Sequence, residues 1–344
     1  ASAFGMPSIG SADFNGDGTV DLLVGAPLDK VVYVVPGRPE EDWPAPAADS
    51  EAGAKTYYDF ANADDVSNLG VVTIAMVGLE GNVAFGRTVV GLGNVLPDEG
   101  ATQYDDIAIQ QNKEPPQLTV IKGRPAGTVL IEVSAEGGVT ADDDTSVRLR
   151  PEAKWEDKLF GYDLSAGDIT GDGVIDLVAG HWRGIPSNSI YIFDGAMMAA
   201  HAGGIMRVDV GDAEVDAHGF LAGQNGAVLS GLEFFPRLTP PLDDPTEDQP
   251  TVDLITRFYD RANLLKAGEV SIRLNVADET RGFTLGDFPW KSVVLLQPDN
   301  PGDPEFGKAN AVGIGDFDGD NDVDVLSAST NDQKIAWYET MWSP

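Results

Sequence analysis

Three stretches of this chain are copies of one another, and a chain built from copies folds as an array of like units. Phe4 to Pro27 reads FGMPSIGSADFNGDGTVDLLVGAP, Phe160 to His181 reads FGYDLSAGDITGDGVIDLVAGH, and Phe306 to Ser329 reads FGKANAVGIGDFDGDNDVDVLSAS. Each runs from Phe-Gly through a short alternating stretch and a Gly/Asp-rich loop into a β-branched, aliphatic run. A further β-type run follows each copy: Val31 to Val35, Ser189 to Phe193 and Lys334 to Tyr338. The wide, nearly equal intervals between Asp13, Asp168 and Asp316 leave room for a weaker copy in each gap. Phe85-Gly86 opens one, which closes on Asp106 and an aliphatic run. The other is looser: Gly219-Phe220 reverses the dipeptide, and Val228 to Glu233 and Val252 to Thr256 stand for its two strands across a Pro- and Asp-rich insertion.

Before each following copy lies one more strand-like run: Val71 to Val77, Ser146 to Leu149, Met206 to Val210 and Ser292 to Leu296. Four strands per unit, repeated around a ring, make an all-β propeller with one sheet per blade. The sequence predicts a single domain over 1–344, with approximate blades at 4–80, 85–150, 160–212, 219–298 and 306–344. Five repeats are visible, and six or seven are accommodated if 36–68 and 125–144 hide divergent blades rather than loops. No segment sustains a helical period with caps, so helix is expected to be minor. The last copy stops soon after its third strand, so the expectation is that the ring closes without a fourth, that a partner supplies it, or that the chain is a fragment.

The loops carry the chemistry. Their pattern, Asp-x-Asp/Asn/Thr-x-Asp-Gly/Asn-x-x-Asp, places Asp13, Asn15, Asp17, Asp21 and the Thr19 carbonyl in the first loop. It places Asp168, Thr170, Asp172, Asp176 and the Val174 carbonyl in the second, and Asp316, Asp318, Asp320, Asp324 and the Asp322 carbonyl in the third. Calcium takes six to eight hard oxygens, and alternate residues of a tight loop direct side chains at one centre. Gly18 and Gly173 stand where the chain must turn with positive φ; Asn321, the best non-glycine substitute, stands there in the third. Without a cation such carboxylates repel one another or take up protons. Val24, Ala179 and Ser327 occupy the place where an EF-hand needs glutamate, so that motif is rejected. About three calcium ions are expected. Asn94, Asp98 and Asp106 outline a weaker site in the second copy. Glu233 and Asp253, with Asp243, Asp244 and Asp248 in the insertion, do so in the fourth. Solvated loops are the better expectation for both.

These residues resemble the FG-GAP repeats of integrin α-subunit propellers and related surface proteins. Phe4-Gly5 and Gly25-Ala26-Pro27 match both halves of that name, while later copies keep Phe-Gly and drift at the second half, as in Ala179-Gly180-His181. The resemblance is strong in three repeats and weak in two. It implies a propeller with calcium loops on one face, in a secreted or cell-surface protein that recognises another macromolecule.

Charge narrows the partners. Acidic residues outnumber basic ones 56 to 22, a formal net charge of −34, which disfavours nucleic acid and anionic membrane surfaces. No apolar run approaches a membrane span, and the absence of cysteine excludes disulfides and thiolate chemistry. The three histidines show no metal-type spacing, and neither a nucleophile elbow nor a phosphate loop is present. His181, Trp182 and Arg183, together after a repeat strand, are the first candidates for sugar contact. The leading reading is an extracellular, calcium-stabilised recognition or adhesion module for a protein or carbohydrate ligand at the cell surface or matrix, and a non-enzyme. Two others remain compatible: a polysaccharide lyase or hydrolase on a calcium-bearing propeller, and a self-assembling subunit of a surface layer or filament.

Overall fold

In the computed structural model, residues 8–44, 58–60, 62–78, 84–98, 100, 102–112, 116–140, 146–150, 160–168, 173–181, 189–207, 220–221, 254–258, 269–274, 291–295, 312–315, 324–328 and 335–338 are described. They are mostly strand, with two short helices and one 3-10 turn. The chain divides into two compact units, Ala1–Gly161 with Ala196–Val215 and Tyr162–Gly195 with Asp216–Pro344.

In the first unit, β1 (Ile9–Ala12), β2 (Asp21–Ala26), β3 (Val31–Val35) and β4 (Val72–Met76) form an antiparallel meander. The β3 sequence Val-Val-Tyr-Val-Val is apolar at every position because both faces of the sheet are covered. Val32 and Val34 join a core with Phe14, Leu23, Phe85, Ile107 and Ile109. Tyr33 and Val35 face a second core with Leu69 and Val71, against which Tyr58 and Phe60 pack. Helix α1 (Ala63–Leu69) belongs to this second core. Asn62 caps its start by accepting from Asp64 N–H, and Gly70 ends it in the left-handed conformation.

The second sheet is β5 (Ala84–Gly93), β6 (Asp106–Asn112), β7 (Gln117–Ile121) and β9 (Ser146–Arg150), again antiparallel. Between β7 and β9 the chain makes β8 (Leu130–Val133), which pairs in parallel with β4 as a fifth strand of the first sheet. The stretch around it, read from sequence as a loop or a hidden blade, is therefore a strap onto the preceding sheet. The third repeat does the same. After β10 (Phe160–Gly167), β11 (Asp176–His181), β12 (Ser189–Phe193) and α2 (Gly195–Ala200), strand β13 (Ile205–Arg207) pairs in parallel with β9. The Met206 run was expected to be the third unit's own fourth strand. That place is taken by β14 (Phe220–Leu221), paired with β12, so Phe220 closes this sheet instead of opening the new copy that the Gly219-Phe220 dipeptide suggests. Hydropathy identifies such runs as strands but carries no information on which sheet edge they join.

The second unit holds the sheet β10-β11-β12-β14 and two three-stranded sheets. One is β15 (Leu254–Phe258), β16 (Glu269–Leu274) and β17 (Lys291–Leu295); the other is β18 (Val312–Gly315), β19 (Asp324–Ala328) and β20 (Ile335–Tyr338). Among the described residues, no helix is long and apolar enough to cross a membrane.

The structure explains the Phe-Gly dipeptide. Phe85 is fully buried, and Gly86, at φ +81°, lies against β2 and β3: a Cβ on it would come 2.7 Å from Val32 Cγ2. Phe160-Gly161 repeats the arrangement, with Gly161 at φ +71° and its virtual Cβ 2.2 Å from Leu118 Cδ2. Each Phe-Gly thus packs one repeat onto the strands of the one before. In the second repeat Gln110 stands where Gly25 stands in the first, four residues after the strand-opening aspartate. Its Nε2 donates to the Phe160 carbonyl at 2.8 Å, so a buried hydrogen bond replaces the backbone contact.

Candidate metal centre

The first loop joins β1 to β2. Phe14, buried in the main core, anchors it, while Asp17, Gly18 and Thr19 stand exposed. Short polar side chains followed by glycine favour this shape, since they accept hydrogen bonds from backbone groups a few residues on. Asp13 Oδ1 accepts from Asp17 N–H at 3.0 Å and Oδ2 from Gly18 N–H at 2.8 Å. Asn15 Oδ1 also accepts from Asp17 N–H, at 2.9 Å, and Asp17 Oδ1 from Thr19 N–H at 2.8 Å. The turn needs Gly18 at φ +84°. Gly16 is needed twice over: its φ is +67°, and a Cβ there would meet the Gln103 carbonyl at 2.6 Å.

The loop leans on the second repeat. Asp13 N–H donates to Asp105 Oδ2 at 2.8 Å, Asp105 N–H returns a bond to the Asp13 carbonyl at 3.0 Å, and Arg124 N–H donates to the Phe14 carbonyl at 2.9 Å. Nothing in the local sequence signals these contacts.

Asp21 lies beneath the loop, 1 % exposed. Its Oδ2 accepts from Phe14 and Asn15 N–H, and its Oδ1 from Gly37 N–H at 2.9 Å and, at 3.4 Å, from Asn15 Nδ2. Burial pushes its carboxyl up to about 6, against the pull of those N–H groups and with help from the Asp17 charge.

This strand-opening aspartate recurs in a constant setting. Ala12 pairs with Asp21, Gly93 with Asp106 and Gly315 with Asp324. Asp106 Oδ2 accepts from Val95 N–H at 2.8 Å and Leu96 N–H at 2.5 Å, and Oδ1 from Gly123 N–H at 3.0 Å; Asp176 Oδ1 accepts from Gly195 N–H at 2.9 Å. In three repeats the carboxylate therefore clasps a glycine that follows the third strand. A Cβ on Gly37, Gly123 or Gly195 would lie 2.2, 2.6 or 2.3 Å from the carbonyl of the residue before the aspartate. Sequence reading missed these glycines. The available signal was a Gly sixteen, seventeen and nineteen residues after the aspartate.

Asp106 is fully buried, and burial raises its carboxyl to about 7. The folded chain then holds a proton that the unfolded chain releases above about 4. The stability from this group is complete below that value and is lost as pH rises through 7. Between pH 5 and pH 8 the loss is about 3 kcal/mol. Urea melts at those two pH values should show a flatter dependence for Asp106→Asn than for the parent chain. Equal slopes would mean that Asp106 does not titrate in this range.

The third repeat reproduces the first where it is described. Gly173 N–H donates to Asp168 Oδ2 at 2.9 Å with φ +83°, matching Gly18 and Asp13. Val174 is half-buried, and Asp176 is fully buried. Thr170, Asp172, Asp316, Asp318, Asp320 and Asp322 lie outside the described residues, as do Trp182, Arg183, Glu233, Asp243, Asp244, Asp248 and Asp253. His181 ends β11 opposite Ser189, and its side chain is outside the description. His201 Nδ1 sits 2.8 Å from the Met197 carbonyl. Among the described residues, no three acidic or histidine side chains are already gathered on one point. In the first loop the acidic oxygens are turned onto backbone N–H groups.

The second loop differs. The donors to Asp106 are Val95 and Leu96, those to Asp21 are Phe14 and Asn15, so Asn94, Leu96 and Asp98 stand where Asp13, Asn15 and Asp17 stand. Leu96 is buried and offers no side-chain oxygen. Asp98, expected in a solvated loop, has a side chain only 5 % exposed.

Residues 7–37, from just before β1 to the clasp glycine Gly37, match the family model of the FG-GAP repeat. The first repeat is thus an FG-GAP repeat within an all-β, mostly strand architecture. No curated protein matches the chain.

Proposed function

We propose that this protein is a calcium-stabilised β-propeller acting outside the cell as a recognition or adhesion module for a protein or carbohydrate ligand. The observation that carries the reading is one loop geometry in two repeats. Asp13 and Asp168 each accept the N–H of a left-handed glycine five residues on, above a buried aspartate that opens the next strand. The donor set suits a hard cation: side-chain oxygens on alternate residues, no nitrogen or sulfur ligand, and an exposed tip at 17–19. FG-GAP repeats are generally found in extracellular adhesion-type β-propellers, and the sheets here are built on three or four strands in largely sequential order, two of them extended by a parallel fifth, an order that suits propeller blades.

Asp13, Asn15, Asp17, Asp21 and the Thr19 carbonyl would hold the first ion. Asp168, Thr170, Asp172, Asp176 and the Val174 carbonyl would hold the second, and Asp316, Asp318, Asp320, Asp324 and the Asp322 carbonyl the third. Calcium supplies neutralising charge and rigidity there, not reaction chemistry. Asp21 and Asp176, tied to Gly37 and Gly195, carry that rigidity from each loop to the neighbouring C-terminal end of the third strand of the same sheet.

Native mass spectrometry in millimolar calcium, on the parent chain and on Asp13→Ala and Asp168→Ala, tests the assignment. Each variant should lose one bound ion and keep the others. A parent chain carrying no specific calcium, or variants with the parent's count, would defeat it. Binding of matrix polysaccharides and surface proteins should weaken at least tenfold on chelation, because the ions order the face that carries the loops.

A further inference from the structure

In the second repeat, a cationic side chain of the protein itself reaches the loop between β5 and β6. Lys122 Nζ lies 3.1 Å from Asp98 Oδ1 and also bonds the Pro97 carbonyl. Asp98 Oδ2 is occupied separately by Tyr104 N–H at 2.9 Å. Asp98 Oδ1 is buried and takes no hydrogen bond of regular geometry, so the ammonium is what balances it. A carboxylate oxygen and a backbone carbonyl on one cation are the kind of ligands a calcium loop offers. Lys122 immediately precedes Gly123, whose N–H closes on Asp106. The residues at that place in the first and third repeats, before Gly37 and Gly195, are Pro36 and Asp194. The repeat with a lysine there is also the one whose loop has Leu96 in place of a polar ligand.

We infer that Lys122 is the built-in cation of the second repeat, and that this repeat takes no divalent metal. The inference rests on the calcium reading of the other loops for its meaning, but its ion pair is independent of them. A tethered ammonium neutralises Asp98 at any calcium concentration, so the contact between the second and first loops persists when calcium is withdrawn. A buried carboxylate deprived of its partner is strongly destabilising, more so than loss of both charges together.

The test compares Lys122→Met, Asp98→Asn and the double variant, each by thermal melting and by calcium count. Lys122→Met should lower the Tm by about 5 °C or more, and adding Asp98→Asn should recover at least half of that loss. Should Lys122→Met fail to fold, folding of the double variant supplies the same evidence of coupling. Asp98→Asn should leave the number of bound calcium ions at the parent's value. Loss of an ion from Asp98→Asn would overturn the inference, as would a Tm unchanged by Lys122→Met. A parent chain that binds no calcium while Lys122 and Asp98 remain coupled would sink the calcium reading of the other loops and leave the ion pair standing.

Discussion

Chelation of calcium is expected to lower the melting temperature by about 10 °C. The estimate starts from linkage: an ion present at a hundred times its dissociation constant stabilises the folded state by about 2.7 kcal/mol. Extracellular sites bind calcium near 10⁻⁴–10⁻³ M, so concentrations of 10 mM and above approach that regime. Three ions together contribute roughly 8 kcal/mol, and unfolding entropy scales with chain length at about 2 cal/mol/K per residue, which for 344 residues gives the stated shift. Charge adds to the effect, since a chain of net charge −34 loses its concentrated counter-ions where carboxylates are closest. Calorimetric scans in calcium, in chelator, and in chelator followed by excess calcium would measure it. Magnesium should restore little, because it demands a tighter octahedral shell and gives up water reluctantly. A midpoint insensitive to chelator would remove the structural role assigned to the loops.

Gly25→Ala is expected to cost about 3 kcal/mol or more. Gly25 lies on β2 opposite Val32, and a Cβ there would sit 1.9 Å from the Gly86 carbonyl oxygen and 3.0 Å from its carbon. The obstacle is backbone on both sides, so no side chain can rotate away and the two sheets must separate locally. Overpacking of this kind usually costs 1–3 kcal/mol, and here it also disturbs Phe85, which is wholly buried in the shared core. Gly70→Asn is the matched control: a glycine of left-handed conformation at the end of α1 with nothing within 4 Å of its virtual Cβ. That change should cost well under 1 kcal/mol, because asparagine tolerates the conformation. Equal losses from the two substitutions, measured by denaturant unfolding, would show that the close approach of Gly25 to Gly86 does not matter.

That contact also gives the repeat signature a physical reading. Gly25-Ala26-Pro27 of one repeat meets Phe85-Gly86 of the next, so the two halves of the motif face each other across an interface between sheets rather than within one repeat. A single repeat read alone shows two unrelated glycine positions. The second repeat loses the Gly-Ala-Pro half because Gln110 makes the contact by a hydrogen bond instead, and the substitution looks in sequence like simple drift.

The strands were legible because each is a short β-branched run bounded by glycine and aspartate. β2, β3, β6, β11 and β12 fall where such runs lie. The Asx loops were legible because their hydrogen bonds span five residues or fewer. What the sequence concealed is of longer range: the clasp of Asp21, Asp106 and Asp176 on Gly37, Gly123 and Gly195, the docking of Asp105 on Asp13, and the pairing of Lys122 with Asp98.

Local order along this chain — repeat, strand, turn, and the side-chain-to-backbone bonds of the Asp loops — was set by residue type at short spacing, where backbone sterics and near-neighbour hydrogen bonds dominate. The destinations of β8, β13 and β14, and the pairing of Lys122 with Asp98 in the second repeat, were decided only in three dimensions. An open strand edge accepts any extended partner, and a buried carboxylate accepts any cation that reaches it. Which one arrives depends on chain paths between segments distant in sequence, and no pattern of neighbouring residues encodes those.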